Sequence, residues 1–297
     1  MVHTGATTAE STDRIRRGAG VGLRLPHLME VVATRPPVSW FEIHPENVLA
    51  NPHAHELLLE IARHYPISVH TVGVSIGSST GLDREHIARV RELADEVNAV
   101  LVSGHLAWST HKGEYLNDLL PLPYDEETLD LVTRQLVDVQ EALGRPFLVE
   151  NPSSYFGFGH STMTEVEFLR ELVHRTGCGL LCDVSNVHLS AHNIGYDAYA
   201  YLDAMPAHAV RELHLGGFTP EADAANADGL VLIDTHADRV AEPVWQLYAY
   251  AVRLFGQQPT LIEWDNEIPS LDTLVAEAAR ANRVAGADEG AFRAIAG

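Results

Sequence analysis

Cysteine and positive charge are both scarce in this chain of 297 residues. The two cysteines, Cys178 and Cys182, are spaced for neither a CxxC motif nor a disulfide framework, so a buried apolar role is expected for Cys182. Twenty Lys and Arg stand against 41 Asp and Glu, and the resulting net charge of -21 repels phosphate backbones. The composition therefore argues against a disulfide-stapled fold and predicts no nucleic-acid partner.

Long apolar runs are absent as well. No stretch reaches the roughly 18 apolar residues that a transmembrane helix needs, so we expect no membrane partner. The first 17 residues have no apolar middle of the kind found in signal peptides, which favours a cytoplasmic location. Hydrophobic residues still make up 46% of the chain, enough for one sizeable core. We predict a flexible leader over residues 1–17, one catalytic domain over residues 18–285 and a C-terminal tail over residues 286–297.

Signatures of nucleotide binding and of serine hydrolases are also missing. The first apolar run reads GVGLRLPH and contains no GxGxxG sequence opening a helix. No Walker loop occurs elsewhere, and the string GVSIG at residues 73–77, which fits GxSxG, is not followed directly by a predicted helix as a nucleophile elbow would be. These absences argue against a dinucleotide-binding sheet, a P-loop enzyme and an α/β-hydrolase.

Eight short apolar runs alternate with helical patterns along the chain. Eight such alternations favour a closed parallel barrel over an open doubly wound sheet. The predicted fold class is therefore α/β, a single (β/α)8 TIM-type barrel, in which chemistry sits at the C-terminal ends of the strands. The predicted strands are Val21–Leu25, Trp40–His44, Ile67–Val72, Val100–His105, Phe147–Glu150, Leu180–Val184, Val210–Leu215 and Thr260–Trp264.

Four of the helical patterns open on a side chain that can cap a first turn: Asp83, Asp125, Thr164 and Ser270. Thr164 also has Glu167 three residues later, which predicts a capping box. Long connections follow several strands, where a barrel carries its site. These predicted connections are Ala107–Asp125, Asn151–Met163, Asn186–Tyr196 and Gly216–Glu242.

Metal-capable side chains stand where the apolar runs end. Taken alone, each is as readily a buried polar group with its hydrogen bonds satisfied, but their recurrence favours a metal site. Because side chains alternate along a strand, Glu42 and His44 share one face of their strand, and Glu263 and Asp265 share one face of theirs. A mixed His, Asp and Glu set without thiolates suits iron, manganese or zinc, and its size predicts more than one ion. The run-end residues are His44, His70, His105, Glu150, Asp183, His214, Asp234 with His236, and Glu263.

A set of ordered motifs spans the chain from about Gly20 to about Val284. They read FEIHPEN, SVHTVGVSIGS, SGHLAW, NDLLPLPY, LVENPSSY, LLCDVSNVHLSAHN, RELHLGG, IDTHAD and LIEWDNE. Together they resemble the multinuclear non-haem iron-dependent oxidative enzymes, a bacterial family. The resemblance implies a β/α barrel with two or three irons in mixed Fe(II) and Fe(III) states, and dioxygen as co-substrate. It further implies a ribosomally made precursor peptide as substrate, often modified at cysteine, and a small leader-binding partner protein.

The same resemblance implies a division of the ligands among the irons. Glu42 and His44 are implied to support the ligands or to line the substrate wall, not to bind metal. The implied ligands of one iron are His70, His105 and Glu150, and those of its neighbour are Glu150, Asp183, His214 and Glu263. The implied ligands of a third iron are Asn186, Asp234 and His236. The ligands of the first two irons are also the implied catalytic residues.

The chain departs from the usual family pattern at a few positions. Gly104 stands where the family usually has Glu before the histidine of the fourth strand. His188 and Ile194 replace an aromatic residue and a histidine, and Ala237 replaces a glycine. The implied ligands are intact, so these departures concern substrate specificity and the third iron.

Two other functions fit the same residues. A zinc- or manganese-dependent isomerase or phosphodiesterase on a similar barrel would also use His, Asp and Glu at strand ends, and would act without dioxygen. A non-enzymatic metal-binding or peptide-binding protein would hold its ions in closed coordination. Trp108, Tyr155 and Phe156 are candidates for lining a peptide groove, with simple packing as the alternative.

Overall fold

Eight parallel strands close into a barrel in the computed structural model, which describes residues 15–16, 18–223 and 229–286. The strand order around the barrel is β1, β12, β9, β8, β7, β4, β3 and β2. This confirms the predicted (β/α)8 TIM-type barrel. The strands are β1 (Gly20–Gly22), β2 (Phe41–Ile43), β3 (Ile67–Thr71), β4 (Leu101–His105), β5 (Trp108–His111), β6 (Glu114–Leu120), β7 (Leu148–Glu150), β8 (Gly179–Asp183), β9 (Val210–Gly216), β10 (Thr219–Ala222), β11 (Leu230–Ile233) and β12 (Thr260–Glu263).

Helices cover the outside of the barrel, and their first turns are capped as predicted. The side chains of Asp83, Asp125 and Ser270 accept hydrogen bonds from backbone N–H groups of the first turn. Thr164 and Glu167 form a reciprocal capping box. The helices are α1 (Leu28–Thr34), α2 (Pro45–Val48), α3 (Pro52–Ala62), α4 (Arg84–Glu96), α5 (Glu126–Leu143), α6 (Glu165–Thr176), α7 (Val184–Ile194), α8 (Ala198–Ala204), α9 (Glu242–Phe255) and α10 (Leu271–Val284).

The apolar core lies between the strands and these helices. Phe41 and Ile43 are buried in it, while Glu42 between them is buried on the inner face of the barrel. Cys182 is fully buried in the same core, although Asp183 beside it turns to the barrel mouth. Strand alternation therefore separates the apolar layer from the polar interior, as the sequence predicts.

One predicted connection is wrong. The segment Asn186–Tyr196 is mostly helix, because α7 begins directly after β8. The side chain of Asp183 accepts a hydrogen bond from the backbone N–H of Asn186 and so caps the helix. Val184, Val187 and Leu189 are buried against the core and hold this helix in place. Asn186 therefore lies on a first helical turn and not in a loop.

Two other long connections contain antiparallel hairpins. Strands β5 and β6 pair within Ala107–Asp125, and β10 and β11 pair within Gly216–Glu242. Asp234 and His236 follow β11, so they do not end a strand of the barrel. The first barrel strand, in turn, leads to Arg24 and not to a metal-capable side chain. The expectation that every apolar run is a barrel strand ending in a metal-capable side chain is therefore wrong for Asp234 with His236 and for the first barrel strand.

The predicted termini fall mostly outside the described residues. Within the predicted leader, 1–17, only Ile15 and Arg16 are described, and Ile15 is buried against Trp40 and Leu261. Of the predicted tail, 286–297, only Gly286 is described. Among the described residues, no helix has both the length and the apolar character to cross a membrane.

Candidate metal centre

Three neighbouring barrel strands bring together the first group of donors. His70 is the last residue but one of β3, His105 ends β4 and Glu150 ends β7. The two Nε2 atoms are 3.3 Å apart, and they lie 3.3 Å and 3.4 Å from Glu150 Oε2. First-row divalent ions bind such atoms at about 2.0–2.2 Å, which places two ligands of one ion about 3.0–3.5 Å apart. The triangle therefore has the dimensions of one face of a coordination shell.

A second group shares Glu150 with the first. Asp183 ends β8, His214 lies near the end of β9 and Glu263 ends β12, and the donor atoms of all four residues lie within 4.8 Å of one another. Every member is buried. His214 Nδ1 is 3.0 Å from Glu263 Oε2. Because Glu150 belongs to both groups, it is placed to bridge two ions.

The third predicted group lies on the outer side of the same cavity. His236 Nε2 is 2.8 Å from Asp234 Oδ1, an ion-pair distance, and despite burial the charges of Asp234 and Glu263 hold the pKa of His236 above its usual range. Asn186 lines the cavity with them, and its buried Oδ1 has no hydrogen-bond partner among the described residues. Imidazole, carboxylate and amide oxygen are donor types of a metal site, in which a cation would replace the proton of the ion pair.

His236 adopts a backbone conformation that L-residues rarely use. Its φ angle is 44°, in the left-handed region. Its N–H donates to the Gly217 carbonyl, and its own carbonyl accepts from Asp265 N and Asn266 N. A Cβ atom at Gly216 would lie 2.5 Å from the His236 ring, so glycine is required there. Backbone strain of this kind clusters at functional sites, where the surrounding structure holds it.

The first group pairs two neutral imidazoles with a carboxyl group that is costly to ionise. Burial lowers the pKa of His105 to about 4, despite the opposing charge of Glu263. Burial, reinforced by His105, also holds the pKa of His70 well below its usual range. Burial raises the pKa of Glu150 well above its usual range and that of Asp183 to about 7. A bound cation would reverse this preference by favouring the ionised carboxylates.

Glu263 behaves differently from the other buried carboxylates. Burial acts to raise its pKa, but the charges of His236 and His214 outweigh it and hold the pKa well below the usual range. The same reciprocal attraction holds the pKa of His214 above its usual range despite burial, mainly through Glu42 and Glu263. The second group thus contains one carboxylate whose ionised form is favoured without a metal ion, Glu263. It also contains two carboxyl groups, Glu150 and Asp183, whose ionised form a bound cation would favour.

Unpartnered polar atoms concentrate at this end of the barrel. A buried polar atom without a hydrogen bond costs about 1–3 kcal/mol, so a cluster of them calls for a ligand. The set contains nitrogen and oxygen donors and no thiolate, which fits iron, manganese or zinc. The residues present therefore fit such ions in more than one donor group. The unpartnered atoms include Glu150 Oε2, Asp183 Oδ2 and Asn186 Oδ1.

One cavity gives access to the donors, and a second lies beside it. The first, of about 180 Å³, is lined by His44, His105, Glu150 and all three residues of the third group. The second, of about 670 Å³, lies beside the β5–β6 hairpin and is lined by Glu46, His86 and Tyr115. Val72 lines both cavities, so they are neighbours.

Sequence reasoning missed two residues inside the barrel. Glu212 is fully buried below His214, and its neighbour Glu42 lies 3.5 Å from His214 Nε2. Burial and the charge of Glu42 raise the pKa of Glu212 to about 8. The signal was available, because Glu212 stands two residues before His214 and shares its strand face.

Arg24 is the other missed residue. Only 5% of it is exposed, and its Nε donates to Asp265 Oδ1 at 2.6 Å. Its Nη2 lies 3.2 Å from His44 Nε2 and 3.7 Å from Glu263 Oε1. A charged residue at the end of the first apolar run was the available signal.

The departures from the family pattern occupy distinct environments. A Cβ atom at Gly104 would lie 2.7 Å from the Thr71 carbonyl oxygen, so a Glu there requires a shift of the strands. His188 packs its ring 5.5 Å from that of Phe218, and Ile194 is 43% exposed.

Of the three aromatic candidates, one contacts the outer group. Tyr155 accepts a hydrogen bond from the backbone N–H of Asp234. The Trp108 indole donates to the Pro121 carbonyl, which closes the β5–β6 hairpin. Phe156 is 56% exposed and stands 5.5 Å from the ring of Phe158.

A closed parallel barrel that gathers these donors at its strand ends is a TIM-barrel enzyme fold with candidate sites for several metal ions. The family profile described as RiPP precursor modification enzyme MbnB/TglH/ChrH matches residues 18–286. The chain belongs to this family. It is 48% identical over 263 residues to the UPF0276 protein VV3194 of Vibrio vulnificus, covering 88% of this chain and 89% of that one. A UPF0276 protein of Paraburkholderia phytofirmans is 44% identical over 274 residues, covering 92% and 89%.

Solved structures with the same fold are far more distant in sequence. A D-psicose 3-epimerase is 10% identical, with a TM-score of 0.56 over 91% of this chain and 99% of its own. A xylose isomerase domain containing protein from Salmonella typhimurium is 13% identical, with a TM-score of 0.57 over 91% and 97%. At these identities the likeness concerns the barrel alone.

Proposed function

We propose that this chain is an iron-dependent oxidoreductase that uses dioxygen to modify a ribosomally made precursor peptide. The observation that carries the proposal is the sharing of Glu150 by two adjacent donor groups in a member of the RiPP precursor modification family. A bridging carboxylate suits a pair of ions that act together on one substrate.

The residues divide the work by position. His70, His105 and Glu150 would hold one iron, and Glu150, Asp183, His214 and Glu263 the next. Asn186, Asp234 and His236 would hold a third. Iron bound there would provide the place at which dioxygen is reduced, and the peptide that is oxidised would supply the electrons.

The protein would control access to these ions. The cavity of about 180 Å³ admits one side chain of a peptide and little water. His44 lines this cavity, with its Nε2 3.2 Å from Arg24 Nη2 and 3.6 Å from Glu263 Oε1, so its ring would contact a side chain bound there. The larger cavity beside the β5–β6 hairpin would receive the peptide on either side of the modified residue.

Two further elements of the proposal concern partners. A small protein that binds the peptide leader would deliver the substrate to the cavity. Both proteins would act in the cytoplasm, where the peptide is synthesised.

The direct test combines metal analysis with mass spectrometry. Protein prepared under argon and loaded with ferrous iron should hold at least two irons per chain. It should consume dioxygen and change the mass of a candidate peptide encoded beside it. Glu150→Ala and His214→Ala should abolish the mass change, whereas Glu141→Gln, at an exposed position near the end of α5, should leave it intact.

Two outcomes would overturn the proposal. Full activity under argon with zinc in place of iron would point to a hydrolytic or isomerising enzyme. Fewer than two irons with no uptake of dioxygen would point to a protein that stores metal or binds peptide only.

A further inference from the structure

The outer end of the site offers two competing places for a cation. His236 can pair with Asp234 and Asn186, as described above, or with Glu263 and Asp265, whose donor atoms also lie within 4.8 Å of it. Both arrangements need a lone pair of the same imidazole, and a neutral imidazole has only one, so at most one arrangement is complete. The contacts of Asp265 decide between them.

Both oxygens of Asp265 are already engaged. Oδ1 accepts from Arg24 Nε at 2.6 Å and also contacts the Nη2 of the same guanidinium. Oδ2 lies 3.2 Å from His236 Nδ1. An ionised carboxylate that serves Arg24 and His236 in this way has little capacity left for a metal ion.

We infer that Arg24 is a positioning residue for the outer metal ion, acting through Asp265 on His236. Asp265 is placed to accept the Nδ1 proton of His236, so that the Nε2 lone pair would be left for a cation shared with Asp234, whose Oδ1 lies 2.8 Å away. Carboxylates that fix a metal-binding histidine in this way tune metal affinity strongly. Arg24 holds Asp265 in the orientation for that task through the hydrogen bond from Nε to Oδ1.

The barrel is built to hold Arg24 at this place. A Cβ atom at Gly22 would lie 3.0 Å from the guanidinium, so the glycine leaves room for it in the mouth of the barrel. The backbone of the segment after β12 ties the other end, since Asp265 N donates to the His236 carbonyl. Arg24, Asp265 and His236 therefore form one connected chain from β1 to the segment after β11.

This inference rests on the metal-binding part of the proposed function and not on its oxygen chemistry. Its test is therefore metal binding under argon, measured as ferrous ions per chain and as the dissociation constant of the weakest ion. In Arg24→Gln the weakest ion should bind about 10–100-fold less tightly, while the remaining ions stay bound. Arg24→Lys should restore part of the affinity, since it returns the charge without the two-point contact.

Asp265→Asn provides a second variant if Arg24→Gln does not fold. The amide of the same shape still accepts from Arg24, but its NH2 group then faces His236 Nδ1 and forces the proton onto Nε2. It should weaken the same single ion as Arg24→Gln. Arg280→Gln, which breaks an exposed ion pair with Glu242, is the matched control and should change nothing.

The outcomes separate the two claims. Equal weakening of every ion, or unchanged binding in both folded variants, overturns the role of Arg24. Wild-type protein that binds no ferrous ion overturns the proposed function as well. Normal metal binding without dioxygen uptake overturns only the oxygen chemistry and leaves the role of Arg24 standing.

Discussion

The inner and outer donor groups are held by different parts of the fold. His70, Glu150 and Asp183 are at most 1% exposed and lie at or next to the ends of hydrogen-bonded barrel strands. Asp234 and His236 are 18% and 13% exposed, and they follow a hairpin that lies outside the barrel. The inner donors are therefore fixed by the same parallel pairing that makes the barrel, whereas the outer donors depend on side-chain contacts.

This difference implies a division between permanent and exchangeable metal binding. Moving an inner donor requires the barrel sheet to open, because each of these donors lies in a strand that is paired with both of its neighbours. Moving His236 requires only the loss of a few hydrogen bonds and releases a left-handed backbone. We expect the inner ions to resist chelators and the outer ion to be lost first.

The largest effect should come from Glu150→Gln. Because Glu150 belongs to both inner groups, its loss should remove about two ions per chain and abolish turnover. Elemental analysis after anaerobic loading with ferrous iron measures this directly. Glu165→Gln is the matched control, since Glu165 is a buried carboxyl that hydrogen-bonds to Tyr124 and Tyr201 and not to the site. Loss of only one ion would show that Glu150 does not bridge.

Asp234→Ala should have the next largest effect. It should remove one ion and leave the inner pair bound, because the inner groups do not include Asp234. The same elemental analysis, repeated after brief exposure to a chelator, separates the two classes of ion. Asp238→Ala, nearby and exposed, should retain the full count. Loss of all ions in Asp234→Ala would contradict the independence of the two groups.

The metal-free protein should respond to pH through Asp183. Its pKa of about 7 in the folded state lies above the unfolded value of 3.8, so the folded state binds the extra proton between these values. Stability therefore falls as pH rises from about 4 to 7. In Asp183→Asn this loss should vanish, and the variant should gain at most about 1.4 kcal/mol per pH unit over wild type in that range.

Chemical denaturation of the chelated proteins at several pH values tests this prediction. Asparagine also caps a helix, so the cap on α7 should survive the change. With metal bound the order should reverse, since the carboxylate is then a ligand. If the free energy of unfolding of metal-free wild type and metal-free Asp183→Asn changed with pH in parallel, Asp183 would not have this role.

Tyr155→Phe should give the smallest effect. It removes the hydroxyl that accepts the Asp234 backbone N–H, a hydrogen bond of about 0.5–1.5 kcal/mol. The outer ion should bind roughly 2–10-fold less tightly, and the inner ions should be unaffected. A chelator titration measures this, with Tyr199→Phe as the exposed control. Weaker inner binding would mean that the two regions are coupled.

The sequence predicts the barrel and the inner donors because both follow from local rules. An apolar run that ends in a polar residue places that residue at a strand end, and strand alternation gives its direction. This reasoning predicts that His70 and Asp183 face the site and that Cys182 faces away from it.

The outer region could not be derived in the same way. Asp234 and His236 are brought to the mouth by a hairpin that returns across it, and local pattern carries no sign of that path. The helix α7 was missed because its polar first turn, with Asn186, resembles a loop. Arg24 is not a metal-ligating residue type, and its partner Asp265 lies 241 residues away in the chain, so no local pattern predicts their contact.

The placement of the two cysteines has a consequence for the lifetime of the protein. A catalyst that oxidises peptide side chains, as proposed above, would be exposed to its own reagent, and thiols are the groups most easily attacked. Cys182 neighbours Asp183 in sequence but lies fully buried in the layer behind the strand. Burial raises the pKa of Cys178 to about 11 and that of Cys182 further still, so both stay as unreactive thiols. The small number of cysteines and their burial would therefore protect the chain from its own oxidant.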